Sequence, residues 1–538
     1  MTRGGDYGHY PKFILQKVRN YFPTYKFNPE KGAIISTQER LTWPATILIS
    51  LQHVLSFIGA TVIGPSLMGF SANTSLFFSG IGTLIFYICT GGKIPSYVGS
   101  SFAFIGVVNA ATGYHFAPGT MNQNIPVALG GILVCGFIYL AISIIVMFAG
   151  VGWIEVLTPP IVTGTVVMAI GLNLAGSAIN QAASSGFDAW IAFATVVMTC
   201  LFICYAPGVL SRLPILLGGL FGYFLYLFLG LAGVGPGIDF KGVGESKWFG
   251  APPLHLPVFE GSAISLIAPI AIILVAENIG HVKAVGSMTN QKLDHLLGRA
   301  FLGDSIATIV AGSFGGLGTT TYAENIGVMS ITKIYSTLPF VICGFIAIFL
   351  GLFAKFGAVL QSIPSGVFGA LSIILFGMIA ITGARIWIED QVDFKKPRNL
   401  LTAGIGIVIG SGMTNGIVVS WGVIKLDGIG VSTLGSIILY QLLREDWKQI
   451  FHYLYSRARG RKSNYPTRKG GYSDCNDNNS KKHEDHSTTT IEMPSISSTE
   501  DRSLTSSSSS SSSDPPQQQQ LLLQTPTRLN DDSINDNV

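Results

Sequence analysis

From Trp43 to Asp239 the chain carries five formal charges: Lys93, Glu155, Asp188, Arg212 and Asp239. A stretch this long and this poor in charge cannot build the water-facing surface of a soluble domain, in which roughly 25% of residues are charged. Over all 538 residues the chain is 12% charged and 48% hydrophobic. Apolar runs of ~20 residues match the hydrocarbon thickness of a bilayer. A soluble enzyme, a disordered protein and a nucleic-acid binder are excluded, and a polytopic membrane protein remains.

Charge collects at the two ends. Residues 1–42 hold seven Lys/Arg against three acids, and residues 444–470 hold eight against Glu445 and Asp446. From Gly471 onward Ser, Asn, Gln and Thr dominate, with Ser506–Ser513 unbroken. Such a tail has too little apolar surface to order itself. Three regions follow: a cytoplasmic N-terminal tail (1–42), a membrane domain (43–443) and a cytoplasmic, low-complexity C-terminal tail (444–538). The six cysteines show no metal-ligand spacing and no disulfide framework. There is no Ser-His-Asp arrangement or phosphate loop either, so the sequence predicts neither an enzyme nor a cofactor.

Apolar runs predict fourteen spans near 43–63, 74–91, 100–112, 126–149, 158–177, 189–206, 213–233, 262–282, 299–312, 324–333, 337–354, 365–383, 399–413 and 430–443. The third and tenth are too short to cross alone, and twelve spans result if they are re-entrant. With the N-terminus inside, ten Lys/Arg fall on cytoplasmic loops and span ends (Lys93, Arg212, Lys283, Lys292, Arg299, Lys333, Arg385, Lys395, Lys396, Arg398), against four outside (Lys241, Lys247, Lys355, Lys425). Both basic tails then lie inside. The outer connection 234–261 divides the spans seven plus seven, the inverted-repeat layout of many secondary transporters. The Asn73-Thr74-Ser75 sequon would face outside, close to a span.

In that layout, short Gly/Pro-interrupted segments at matching places mark the binding site. Here they are Pro95–Phe104 and Gly318–Gly327. Each joins a hydroxyl-rich extended stretch to a short helix, whose N-terminus presents unpaired N–H groups. Ser100 and Thr321 could equally be plain N-caps. Ionisable residues inside spans are costly and functional by default. Glu277 follows seven apolar residues, with His281 one helical turn on. Glu324 opens the second short helix, and Gln52-His53 is the polar pair of the first span. Asp304 and Arg299, near the ninth span, could form a structural ion pair and are assigned no role.

Two carboxyls, a histidine and backbone donors suit a flat ring bearing both N–H and C=O groups, such as uracil, with Phe102 and Tyr322 placed to stack on it. A carboxyl in an apolar setting readily carries a proton. Either acid could therefore couple proton flow to substrate entry.

The segments Gln52–Thr61, Lys93–Phe104, Ala276–His281 and Thr319–Lys333 resemble the nucleobase–ascorbate transporter family, closest to its proton-coupled uracil permeases. The likeness runs from about Trp43 to Leu443 and includes the signature Glu324-Asn325-Ile-Gly327…Thr332-Lys333. It implies an all-α fold of fourteen segments in a 7+7 inverted repeat. Segments 3 and 10 would be broken half-helices joined by short paired strands. A core (about 43–149 and 262–354) would slide, elevator fashion, against a gate (about 150–233 and 365–443) that supports a homodimer. It further implies that Glu277 and Glu324 bind the base, and that Phe102, Ala60, Tyr322, Ala323 and Phe376 line the site. Proton coupling would fall to His281, His53 and the two acids. Ala323 stands where bacterial uracil permeases have Gly, and Phe376 where they have Tyr. In the family, Glu at position 324 goes with uracil and Gln with xanthine and urate. The expected function is proton-coupled uracil import at the plasma membrane. The alternatives are a purine or xanthine permease and, more remotely, an anion transporter of the same fold.

Overall fold

The computed structural model describes residues 21–28, 34–116, 119–207, 210, 213–414, 417–422 and 424–445. The Ser/Gln-rich tail, Arg212 and Cys475 lie outside the described residues. The elements are β1 (Lys26–Phe27), β2 (Glu39–Arg40), α1 (Trp43–Leu67), α2 (Ala72–Thr90), β3 (Val98–Ser100), α3 (Phe104–Thr112), α4 (Ile125–Ala149), α5 (Gly152–Leu157), α6 (Pro160–Ala182), α7 (Gly186–Tyr205) and α8 (Pro214–Leu231). Next come α9 (Lys241–Glu245), α10 (Gly261–Ile267), α11 (Ile270–Thr289), α12 (Leu297–Phe314), β4 (Thr319–Thr321), α13 (Ala323–Thr332), α14 (Leu338–Leu352) and α15 (Ala354–Gln361). The last are α16 (Ser365–Glu389), α17 (Pro397–Gly412), β5 (Val419–Trp421), β6 (Ile424–Leu426) and α18 (Gly428–Leu442).

Local chemistry sets many of the boundaries. Proline opens α1, α4, α6, α8, α14 and α17, where its missing N–H costs nothing. Ser185 and Asp427 accept the backbone N–H of Asp188 (3.0 Å) and Gly430 (2.8 Å) at the starts of α7 and α18. Gly91 ends α2 in the left-handed conformation.

Among the described residues, eight helical stretches are long and apolar enough to cross a membrane: α1, α2, α4, α6, α7, α8, α10 with α11, and α16. A ninth is counted if α14 and α15, bent by 75°, form one span. The remaining sequence-predicted spans are helices too short or too polar to meet that standard alone. α3 has 9 residues and α13 has 10, roughly 15 Å or half a bilayer. Helix α12 carries Arg299 and Asp304, and α17 has 16 residues.

Most of the large helix contacts join the two halves of the chain, and two, α7 on α8 and α17 on α18, lie within a half. Helix α2 packs on α14 and α12, α4 on α12, and α1 on α14; α6 packs on α16 and α17, α7 on α8 and α16, and α17 on α18. Small residues permit this closeness, as in membrane helix pairs generally. A Cβ at Gly171 of α6 would lie 2.5 Å from the carbonyl oxygen of Phe376 in α16. Helices α7 and α8 bury little of themselves and expose Phe193, Val197, Leu201, Leu220, Phe224 and Phe228. Such a surface suits lipid contact.

The bend at Phe353 has a visible cause. Asn73, 7% exposed, donates through Nδ2 to the carbonyls of Leu350, Gly351 and Phe353 at 3.2, 3.2 and 3.0 Å. It satisfies carbonyls that the end of α14 leaves orphaned. The sequon asparagine is thus consumed by the fold. Expressed in a glycosylating host, the chain should run as one unglycosylated species, unchanged in mobility by glycosidase; a mobility shift lost in Asn73→Gln would contradict this.

Candidate functional site

Strands β3 and β4 pair antiparallel, with Val98 opposite Thr321, Gly99 opposite Thr320 and Ser100 opposite Thr319. All six residues are buried. Each strand leads within a few residues into a short helix, β3 into α3 and β4 into α13. Neither helix has a side-chain cap bond at its N-cap, Ala103 and Tyr322 respectively. Ser100 and Thr321, which could have been N-caps by sequence, are strand residues. At the start of α3 the N–H groups of Ala103, Phe104 and Ile105 bond back to Ser101 Oγ, Ser101 O and Phe102 O at 3.3, 3.4 and 3.1 Å. The start of α13 has no side-chain cap, and orphan N–H groups there are available to a ligand.

Close approach fixes the strand pair. A Cβ at Gly99 would stand 2.5 Å from Cζ of Tyr322, so only glycine lets the Tyr322 ring cross the pair. The Tyr322 hydroxyl donates to the Ser100 carbonyl (3.0 Å) and accepts from Thr61 Oγ1 of α1 (3.2 Å). Its backbone N–H donates to Tyr97 O (3.0 Å). Behind them the Phe57 and Tyr97 rings stack at 3.6 Å.

Helix α11 brings its polar pair to this frame. Ser101 Oγ donates to Glu277 Oε2 (3.3 Å), and His281 Nδ1 lies 2.9 Å from Thr321 Oγ1. One residue along, Asn278 is fully buried. Glu324 lies in the first turn of α13, and its carbonyl accepts from Ser56 Oγ of α1 (3.3 Å). Asn325 Nδ2 reaches both His53 Nδ1 (3.0 Å) and the His53 carbonyl (3.3 Å). The carbonyl contact identifies that amide atom as the NH₂ donor, so His53 Nδ1 accepts and a neutral ring carries its proton on Nε2. The His53 ring lies against Phe340 at 4.6 Å. Gln52 Nε2, His53 Nε2 and Asn325 Oδ1 have no partner among the described residues, an uncommon cluster in a buried region.

The remaining sequence-predicted residues sort by position. Phe102 is half-buried between β3 and α3, and Ala323 and Gly327 are exposed on α13. A Cβ at Gly327 would meet nothing within 4 Å. Thr332 ends α13, its hydroxyl donating to Val328 O at 2.9 Å. Ala60 is buried in α1. Phe376 is buried in α16, at the contact with α6.

Sequence reasoning missed one acid. Asp304 is fully buried. Its Oδ1 accepts from Thr319 Oγ1 (3.0 Å), and its Oδ2 from Asn278 Nδ2 (3.1 Å) and Tyr139 OH (3.4 Å). The ion pair with Arg299 does not form, because the Arg299 guanidinium lies over the Tyr21 ring at 5.7 Å. Five residues of helix separate the two side chains, enough to place one in the packed interior and the other at the helix end. The signal available in the sequence was an acid flanked by Gly303, Ser305 and Thr308 inside a predicted span.

Apolar helices around a buried strand pair, two short helices and a cluster of polar side chains define a multi-pass membrane transporter. The profile of the permease family typified by xanthine and uracil permeases matches residues 44–419, and the chain belongs to that family. A relative named as a pyrimidine permease, RutG of Escherichia coli (strain K12), is 47% identical over 419 residues, covering 78% of this chain and 94% of its own. The uracil permease of Escherichia coli (strain K12) is 36% identical over 422 residues, covering 76% and 94%. That of Bacillus subtilis (strain 168) is 35% identical over 418 residues, covering 74% and 92%. Among solved structures, the murine anion transporter Slc26a9 in its inward-facing state aligns with TM-score 0.56 at 12% identity, covering 82% of this chain and 73% of that one. The transmembrane domain of the cyanobacterial bicarbonate transporter BicA aligns with TM-score 0.51 at 14% identity, covering 74% and 96%. These two likenesses carry the fold alone.

Proposed function

We propose that this protein imports uracil or a closely related pyrimidine base by proton symport. The observation that carries the reading is the buried β3–β4 pair leading into two short helices, with Glu277 held by Ser101 on one side and Glu324 in the uncapped first turn of α13 on the other. Helix-start N–H groups would donate to the ring carbonyls, and the two carboxylates would accept from the ring N–H groups. Phe102 would stack on the ring, with Tyr322, Ala323 and Ala60 around it and Phe376 closing it from the opposite helix set. His281, held by Thr321, and His53, held by Asn325, would stand in the proton path with the two acids. The names of the relatives support a pyrimidine. Two carboxyl groups beside the half-helix starts disfavour an anion through charge repulsion.

In this reading fourteen segments form a 7+7 inverted repeat. A core of α1–α4 and α10–α14 slides against a gate of α6–α8 and α16–α18, carrying the base across. Both termini are cytoplasmic, the membrane is the plasma membrane, and the gate holds a homodimer together.

The deciding experiment is a competition panel in transport-deficient cells. Radiolabelled uracil should accumulate, and unlabelled uracil should compete better than xanthine, uric acid or bicarbonate. A protonophore should collapse the accumulation. Preferred xanthine uptake would move the substrate to purines, and sodium-dependent, protonophore-resistant uptake would remove the proton.

A further inference from the structure

The segment before α1 is bonded to the inner ends of the elements that carry the site. The Tyr21 hydroxyl lies 3.0 and 2.9 Å from the carbonyls of Ile88 and Cys89, at the end of α2. The Phe22 ring stacks on Tyr87 at 5.6 Å, with 7° between planes. The Tyr25 hydroxyl lies 2.7 Å from Thr337 Oγ1 and 3.0 Å from the Tyr87 hydroxyl. Ile35, 1% exposed, forms a parallel bridge with Ile334: its N–H donates to Lys333 O (3.1 Å) and its carbonyl accepts from Tyr335 N (2.8 Å). Thr337 Oγ1 also reaches Gly92 O (3.0 Å), in the turn that leads towards β3. β1 and β2 pair in parallel within the segment itself.

The placement of these bonds is specific. Helix α13 carries Glu324 and has 10 residues, too few to be stable in isolation. It ends at Lys333, a non-glycine residue in the left-handed conformation (φ 57°). The segment supplies a bond partner for the Lys333 carbonyl and for the residues just beyond it. The same segment closes the end of α2, which leads to β3. One piece of chain therefore ties together the inner supports of both site strands. The partners named here all belong to the helix set of α1–α4 and α10–α14.

We propose that residues 21–28 and 34–42, joined by the β1–β2 pairing, act as a strap that belongs to the moving carrier. The strap stays docked through the transport cycle and holds the inner end of α13, so that the Glu324 end of that helix keeps its binding geometry. The proposal rests on the transport reading above, in which this helix set moves as one body.

Two variants test it, read by radiolabelled uracil counterflow in proteoliposomes, which needs no ion gradient. Bridge partners lie ~5 Å apart, within disulfide reach, so Ile35→Cys with Ile334→Cys locks the strap down. Oxidation should leave counterflow within about twofold of the reduced sample, after correction for wild type treated identically. Loss on oxidation with recovery on reduction would show that the strap must undock, and would overturn the proposal. Tyr25→Phe with Thr337→Val cuts the hydroxyl hub. It should raise the half-saturating uracil concentration about fivefold, the size of one neutral hydrogen bond. Adding the oxidised disulfide to that background should restore it. An unmoved half-saturation, or one the disulfide fails to restore, would equally overturn the proposal. If the hub variant does not insert, Tyr25→Phe alone takes its place with the same criteria. Absence of counterflow in the wild-type chain would remove the transport reading; the strap would then be judged by thermal unfolding, lowered in the hub variant and restored by the disulfide if it holds α13, and unmoved if it does not.

Discussion

Glu277→Gln should abolish measurable uracil binding and uptake. The carboxylate is the acceptor presented by α11 to the strand pair, held towards it by Ser101 at 3.3 Å. A hydrogen bond to a charged group contributes ~1.5–3 kcal/mol, which is roughly 10–150-fold in affinity. The amide keeps the shape but replaces one acceptor oxygen with a donor, so a ring N–H would meet an N–H. The loss should sit at the top of that range or beyond it. Ser101→Ala removes the hydroxyl that orients the carboxylate and that accepts from the Ala103 N–H at 3.3 Å, and should cost about fivefold. Uracil titration of purified protein checks both, with thermal unfolding as the control for folding. Wild-type affinity in Glu277→Gln would take Glu277 out of the site.

Asp304→Ala should be the most destabilising of the substitutions considered. Its carboxylate is the shared acceptor for Thr319, Asn278 and Tyr139, and all three partners are buried. Alanine removes the acceptor of the Tyr139 hydroxyl and one acceptor each of Thr319, which keeps Asp304 O and Thr308, and of Asn278, which keeps Tyr139. The unsatisfied hydroxyl costs ~1–3 kcal/mol, the lost bonds to the carboxylate ~1.5–3 kcal/mol each, and a small cavity adds to this. A fall in unfolding temperature on the order of 10 °C follows. Asp304→Asn should be milder, because the Thr319 and Tyr139 hydroxyls can rotate to accept from an amide. Because Thr319 begins β4, loss of Asp304 should also disturb the strand pair and lower uracil affinity in whatever protein folds. An unfolding temperature within about 2 °C of wild type would show that the network is not under tension from burial.

Much of the site was legible in the sequence because its signals are local. Glu277 and His281 share one helical face by spacing alone. The two Gly/Pro-interrupted segments stood out as too short to cross, and they are the segments that pair as β3 and β4. Other features depended on contacts that no local pattern carries. Ser100 and Thr321 have good capping chemistry, yet pairing between segments over 200 residues apart drew them into strands. Asp304 and Arg299 look like ion-pair partners by type, but the helix turns them to different surroundings. Asn73 lies in a sequon too close to a span to count on, and what it does instead, bracketing a bent helix, depends on carbonyls over 270 residues away. Helices α5, α9 and α15 and the strands β1, β2, β5 and β6 were not anticipated. Elements that short take their stability from neighbours rather than from propensity.

The sequence by itself determined the class of protein and the position of most apolar segments. Transfer of apolar and charged groups between water and lipid depends on composition over ~20 residues. It also marked Glu277 and Glu324, because an acid in an apolar run is costly wherever the run ends up. Only the tertiary structure decided which acid was overlooked, which hydroxyls hold strands rather than cap helices, and that the segment before α1 is bonded to the C-terminal ends of α2 and α13. Those outcomes depend on hydrogen bonds between residues far apart in sequence. The satisfaction of buried polar groups is settled only when the packed neighbours are in place.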